Sequence, residues 1–393
     1  MSWEYVKIED ICTRVTSGGT PKSTNIEFYN PKEIPWLKTG EVNYCRIYDT
    51  ETYISKQGLE RSSAKLIPEN SVIIAMYGQG DTAGRVAINK IPLCTNQACC
   101  NLIINNEIAD YEYVYYALST LYDKLVALKN GGAQPNLNVS IIKAVEIPFP
   151  NLTTQRKIAK MLADYDFLIE INQKQIKLLE EAAQRLYKEW FVDLRFPGYG
   201  DTLIVDGVPE GWSKQTLSDI ADVTMGQSPK SEFYNDKKEG LPFHQGVGSY
   251  GRRFVVDETY STSFTKIADA NSILFSVRAP VGRLNFTKNK IVIGRGLSAM
   301  NHKQGKQSYL FYLLKERFFK DDIVGNGSIF ASISKNELLS QQFIVPTQEL
   351  IEAFNNVANN IDEKIAVLDS QISLLSQARD RLLPKLMSGE LEV

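Results

Sequence analysis

The sequence predicts an α+β protein built twice. Two duplicated globular α/β segments are each followed by a long helix, and the two helices pair as an antiparallel coiled coil, giving a pseudo-twofold dumbbell. Three observations predict this. Residues 155–190 step their apolar positions by four and three, at Ile158, Leu162, Tyr165, Ile169, Asn172, Ile176, Leu179, Ala183, Leu186 and Trp190, with Asn172 the one polar member. The same stepping returns 196 residues later (354 − 158) at Phe354, Ala358, Ile361, Ile365, Leu368, Ile372, Leu375, Arg379, Leu382 and Leu386. A 3.5-residue period sustained this long buries a narrow seam against a partner helix. Finally, the segments before the two helices repeat one another in order. The divisions are 1–150, first globular segment; 151–195, first long helix; 196–346, linker and second globular segment; 347–393, second long helix and C-terminal tail.

The repeat is read off short matches. Trp3, Asp10 and Ile11 return as Trp212, Asp219 and Ile220, and Thr20-Pro-Lys-Ser23 returns as Ser228-Pro-Lys-Ser231. Ile34-Pro-Trp-Leu-Lys-Thr-Gly40 is answered by Leu241-Pro-Phe-His-Gln-Gly246, and Asn70-Ser-Val-Ile by Asn271-Ser-Ile-Leu. Gly84-Arg85 is answered by Gly282-Arg283. In the first copy, residues 70–77 read as a buried strand, 78–84 as a loop and 85–88 as the returning strand. Residues 111–128 have helical period and run to the stop signal Asn130-Gly131-Gly132. The prolines of Ile147-Pro-Phe-Pro150 close the segment before the helix. In the second copy the helix is 308–320, leading to Asn326-Gly-Ser328. At 1.5 Å per residue each long helix is on the order of 50 Å.

Composition narrows the class. With 393 residues and 43% hydrophobic content the chain can fill two or three cores. Net charge is −2 overall, yet residues 209–345 carry 18 Lys+Arg against 13 Asp+Glu, whereas 1–150 carry 14 against 16. The second segment therefore permits a polyanion partner without demanding one. Cys12, Cys45, Cys94, Cys99 and Cys100 form no C-x-x-C pair and read as reduced thiols. With no signal segment and no run of 18 apolar residues, the expected location is cytoplasmic.

Catalytic signatures are missing from the sequence: there is no phosphate loop, H-E-x-x-H, or G-x-S-x-G elbow. The Asp/Asn-Pro-Pro-aromatic signature of amino-methyltransferases is also missing. Gly78 to Gly84 spaces its glycines as G-x-G-x-x-x-G with no helical pattern after it, which suits a strand-connecting turn. What remains are loops rich in side chains able to read base edges or neutralise phosphates. In the first segment these are Lys22, Lys38, Thr39, Gln79, Arg85, Asn96, Gln97, Gln134 and Asn136. In the second they are Gln227, Lys230, His244, Gln245, Tyr250, Arg252, Arg253, Arg278, Arg283 and Arg295. Taken singly, each is better read as a solvated surface side chain. Arg85 and Arg283 share a repeat position and are open to a structural reading, whereas Lys38-Thr39 against His244-Gln245 differ at equivalent loops, as readers of different bases should.

The chain resembles the specificity subunit of type I restriction-modification systems over essentially its full length. The carriers are Gly-Gly-Thr-Pro21 and Gly-Gln-Ser-Pro229, the two Gly-Arg pairs, Gln97-Ala98, and Ile147-Pro-Phe-Pro150 running into Gln155-Arg-Lys-Ile-Ala159. The ending Leu382-Leu-Pro-Lys-Leu-Met-Ser-Gly389 is another. Two positions depart from the pattern: Thr154 stands where an acidic residue is usual, and Thr347-Gln-Glu349 opens the second helix without Gln-x-x-Ile-Ala, bearing on a helix cap or a partner contact. The resemblance implies two target recognition domains, each reading one half of a bipartite double-stranded DNA site, with the helices as a ruler for the spacer. It implies two methyltransferase subunits bringing S-adenosylmethionine, restriction subunits bringing ATP and Mg, adenine as the modified base, and a non-catalytic role with no cofactor for this chain. The rival from the residues alone is a coiled-coil interaction scaffold without DNA.

Overall fold

A computed structural model describes residues 3–129, 136–318 and 332–393. The chain divides into two compact units, 1–172 with 371–393, and 173–370, so that each unit takes part of both long helices.

The first unit opens and closes its globular segment with one antiparallel pair, Tyr5–Lys7 against Glu146–Pro148. Between them lies a five-stranded sheet in the order Cys12–Ser17, Cys99–Ile104, Val72–Ala75, Val86–Asn89, Cys45–Ile47. A smaller four-stranded sheet runs Tyr53–Ile54, Ile34–Leu37, Leu93–Thr95, Leu66–Ile67. The apolar run after Asn70 is continuous because both of its faces are covered. Val72, Ile74 and Met76 enter the core shared with the helix Tyr111–Ser119 and with Ile158, Leu162, Leu386 and Met387 of the long helices. Ile73 and Ala75, pointing the other way by the two-residue strand period, enter a second core with Leu37, Leu93 and Cys99.

The second unit repeats this plan. Ser213–Thr216 pairs with Gln342–Val345 before the second long helix. Its main sheet is Ala221–Met225, Leu297–His302, Ile273–Ser276, Leu284–Phe286. Ile273 and Phe275 pack with the helix Gln307–Phe318, while Leu274 joins Ile291, Ile293 and Leu297 on the opposite face. The repeated asparagines have a backbone cause: Asn70 and Asn271 both adopt left-handed φ, 62° and 64°, a conformation asparagine tolerates better than most residues.

The long helices are Leu152–Phe191 and Gln348–Ser388, longer than the seam pattern alone indicates. In the first unit Asp166 meets Arg379 and Asn172 meets Gln371, so the pairing is antiparallel. In the second, Tyr187 meets Phe354 at 5.6 Å and Arg253 bridges Glu180 to Asp362, again antiparallel. Ile158, Leu162, Ile169, Ile176, Ala183, Ala358, Ile365, Leu368 and Leu386 are buried; Tyr165, Leu179, Leu186, Ile361, Ile372, Leu375 and Leu382 are half-buried. Asp166 and Tyr187 are more deeply buried than their neighbours Tyr165 and Leu186. That is the drift expected of a 3.6-residue helix read with a 3.5-residue template.

Two further readings are corrected. The helix expected over 111–128 is two, Tyr111–Ser119 and Tyr122–Ala127. The hydroxyls of Ser119 and Thr120 donate back to the carbonyls of Tyr115 and Ala117, and side-chain bonds of this kind compete with helix continuation. Thr154 leaves the first helix capped: its N–H donates to Asn151 Oδ1 at 2.9 Å. Gln155, fully buried, accepts from the Asp110 N–H at 3.0 Å and donates to the Pro150 carbonyl at 2.8 Å. In the second helix the position matching Gln155 is Ile351, which packs into the core, and Asn355 one turn on accepts from the Tyr309 N–H at 3.2 Å. Asn130, Gly131, Gly132, Gln134 and 326–328 lie outside the described residues.

Candidate nucleic-acid interface

In each unit three loops converge at the ends of one pair of parallel strands. In the first, Trp36 is in register with Cys94 and Leu37 with Thr95. The chain then turns at 38–41 and at 96–98, and Asn96 N–H returns to the Leu37 carbonyl at 2.9 Å. The loop at Gly18-Gly19 closes over them, Gly19 N–H donating to the Thr95 carbonyl and Trp36 Nε1 to the Gly19 carbonyl at 3.0 Å. A Cβ on Gly18 would sit 2.2 Å from the Thr95 carbonyl oxygen, so this contact requires glycine. Lys22, Lys38 and Gln97 are exposed, Asn96 is half-buried and Thr39 is buried. Lys38 Nζ stands 5.9 Å from the Trp36 ring centre, and the Thr20 hydroxyl donates to Gln97 Oε1.

The second unit aligns Phe243 with Val292 and His244 with Ile293. Gly294 N–H returns to the His244 carbonyl at 2.8 Å, Gly296 N–H to the Gln245 carbonyl, and Gln227 N–H to the Ile293 carbonyl at 2.9 Å. Gly226 repeats Gly18: a Cβ there would lie 2.1 Å from the Gly294 carbonyl oxygen. Gln227, Lys230, Gln245 and Arg295 are exposed on these loops. Ser228 Oγ donates to Gln245 Oε1 at 2.8 Å and accepts from the Arg295 N–H at 3.3 Å. His244 is buried between Ser249 Oγ at 2.8 Å and Asp257 Oδ1 at 3.0 Å, bracing the loop that carries Tyr250, which is half-buried.

A second group surrounds the Gly-Arg turns. Gly84 and Gly282 hold φ of 95° and 90°, the left-handed backbone that glycine accommodates. Arg85 is half-buried and donates to Asp81 at 2.5 Å and Asn43 at 3.1 Å. Gln79 is exposed; half-buried Asn136 precedes Leu137, whose N–H donates to the Met76 carbonyl. Arg252, Arg278 and Arg283 are exposed, and Arg278 makes an isolated bridge with Ser332.

Arg253 faces inward. It is 3% exposed, pairs with Asp362 and Glu180, and stacks 3.7 Å over Phe311. The first unit contains the counterpart that sequence reading missed, Arg46, which donates to Asp166 at 3.1 Å, Glu170 at 3.3 Å and Glu112 at 3.4 Å. Tyr116 donates to Asp166 at 2.5 Å, and burial, together with that carboxylate, holds its hydroxyl far above the usual tyrosine range. The available signal was a pair of acids, Asp166 and Asp362, and a pair of tyrosines, Tyr116 and Tyr312, each spaced by 196 residues.

The helices also keep exposed apolar residues at matched repeat positions. Met161 and Leu374 are exposed in the first unit, Val357 and Leu178 in the second, and Met161 matches Val357 and Leu178 matches Leu374 at an offset of 196. No helix among the described residues is long and apolar enough to cross a membrane.

Residues 1–181 and 209–367 match the family model described as type I restriction modification DNA specificity domain. The chain is 30% identical to the type I restriction enzyme MjaIX specificity subunit of Methanocaldococcus jannaschii, over all of this chain and 94% of that one. It is 23% identical to the type I restriction enzyme HindI specificity subunit of Haemophilus influenzae, over 70% of this chain and 75% of the relative. The crystal structure of a type I restriction-modification system S subunit from M. genitalium shares the fold with a TM-score of 0.64 at 17% identity, covering 98% of this chain and 96% of that one.

Proposed function

The chain belongs to the type I restriction-modification DNA specificity family, and on that premise we propose that each of its two units reads one half of a bipartite DNA site. The observation that carries this is the three-loop convergence. The scaffold repeats, down to a glycine under a carbonyl at Gly18 and Gly226, while the exposed side chains above it differ: Lys38 and Gln97 in one unit, Gln245 and Arg295 in the other. A repeated platform with divergent polar tips suits two different half-sites. Arg253 and His244 are assigned to holding the platform, since their side chains are buried.

The chain acts in this reading as a non-catalytic component of a cytoplasmic complex. Two methyltransferase subunits carrying S-adenosylmethionine dock on the helices, where Met161 with Leu374 and Val357 with Leu178 offer equivalent apolar contacts. Those subunits flip and methylate adenine, and restriction subunits bring ATP and Mg. The helices fix the spacer, because half-site separation is a geometric quantity. The test is segment exchange. Replacing residues 3–150 with the matching segment of a relative should change one half-site of the methylated motif and leave the other intact; a change in both halves would contradict the reading.

A further inference from the structure

We propose that Gln97 and Gln245 are oriented readers of hydrogen-bond acceptors on bases, each aimed by the hydroxyl of the repeated Thr/Ser-Pro turn. The inference rests on the reading of the three-loop surface as the base-contacting one. Thr20 and Ser228 occupy the same repeat position, before Pro21 and Pro229. The Thr20 hydroxyl donates to Gln97 Oε1, and the Ser228 hydroxyl to Gln245 Oε1 at 2.8 Å. In the second unit the arrangement uses both capacities of the hydroxyl. Ser228 Oγ accepts the Arg295 N–H at 3.3 Å and gives its single proton to the amide oxygen of Gln245. Both glutamines are exposed, and with each carbonyl oxygen taken by a hydroxyl the NH2 is the group left to meet a base.

The consequence is chemical. A free glutamine amide pairs bidentately with adenine, accepting from N6 and donating to N7. With the oxygen held by a hydroxyl, the outward group only donates. Guanine offers O6 and N7 and thymine offers O4, whereas cytosine presents an amino donor, and adenine, although its N7 accepts, leaves its amino group facing no acceptor. The two glutamines therefore favour guanine or thymine over adenine and cytosine. The orienting hydroxyl is kept at one repeat position while the glutamine it aims comes from different loops, after Asn96 in one unit and after His244 in the other. The repeat thus conserves an orienting device and varies where it is used.

The experiment is single-molecule mapping of N6-methyladenine in DNA from cells co-expressing the full chain with its methyltransferase partner, comparing wild type, Gln97→Glu and Gln245→Glu. A carboxylate accepts where the amide donated. Each variant is expected to convert one guanine or thymine of one half-site to cytosine or adenine, a preference shift of roughly tenfold for one hydrogen bond, with the other half-site unchanged. Thr20→Val and Ser228→Ala release the amides and should admit adenine at the same positions. If a Glu variant abolishes methylation, these two carry the question, and unchanged base preference in them overturns the proposal. Adenine or cytosine at the responding wild-type positions, or a motif indifferent to all four variants, also overturns it. A wild-type map with no two-part motif would instead remove the functional reading on which the proposal rests.

Discussion

Asp166 and Asp362 occupy the same position of the two long helices, 196 residues apart, and each receives a buried guanidinium from the globular segment of its own unit, Arg46 in one and Arg253 in the other. Tyrosines at matched positions, Tyr116 and Tyr312, point hydroxyls at the same two carboxylates. The recognition segment is thereby fixed to its helix by a charged clamp inside the hydrophobic packing. A buried pair is costly to break because the surviving charge has no solvent, so Asp362→Ala should lower unfolding free energy by about 3–5 kcal/mol. Arg253→Ala should likewise destabilise, whereas Arg252→Ala, at an exposed position, should stay within about 0.5 kcal/mol of wild type. Urea unfolding of the three variants decides it; equal stability of Arg253→Ala and Arg252→Ala would count against the clamp.

The one polar seam residue invites the opposite test. Asn172 Nδ2 donates to Gln371 Oε1 at 3.3 Å, a single bond between buried Asn172 and a glutamine at an exposed position. Asn172→Leu should be neutral to stabilising, since Gln371 can turn to water, whereas Ile158→Ala in the same seam should cost about 2–5 kcal/mol. A large loss in Asn172→Leu would show that the hydrogen bond contributes more than register.

Acid should destabilise the second unit through His302. Burial, reinforced by the Lys306 charge, pushes its pKa down from 6.5 to about 4, and its Nδ1 accepts the Gln304 N–H at 3.1 Å, which requires the neutral ring. A depressed histidine contributes stability that is complete above about pH 6.5 and lost as pH falls toward 4. Between those values His302→Asn should lose less stability than wild type, as followed by thermal unfolding in a pH series. Parallel curves would dismiss the role.

Partner docking can be separated from folding. Leu374 is 67% exposed, so Leu374→Glu should leave unfolding unchanged within about 0.5 kcal/mol while weakening the proposed association with a methyltransferase subunit. Leu178→Glu should do the same for the other copy. Full assembly of the double variant, measured by light scattering, would move the docking surface elsewhere.

Much of this was legible in the residues, for identifiable reasons. The duplication showed because backbone demands recur: glycine under a carbonyl at Gly18 and Gly226, left-handed asparagine at Asn70 and Asn271. The helices showed because a seam imposes a period. Arg253 did not, since a loop arginine reads as a surface cation until the acid it meets is known, and Asp362 lies 109 positions away. His244 was hidden similarly, its partners Ser249 and Asp257 making sense only once the following loop folds back. The break of the 111–128 helix at Thr120 rests on hydroxyl-to-backbone bonds that hydrophobic periodicity does not register.

The most direct test is the methylation map of the wild-type chain expressed with the proposed methyltransferase partner. The account predicts N6-methyladenine in one two-part motif with a fixed, unread spacer between its halves. A contiguous motif with no spacer, or methylation that does not depend on this chain, would contradict it.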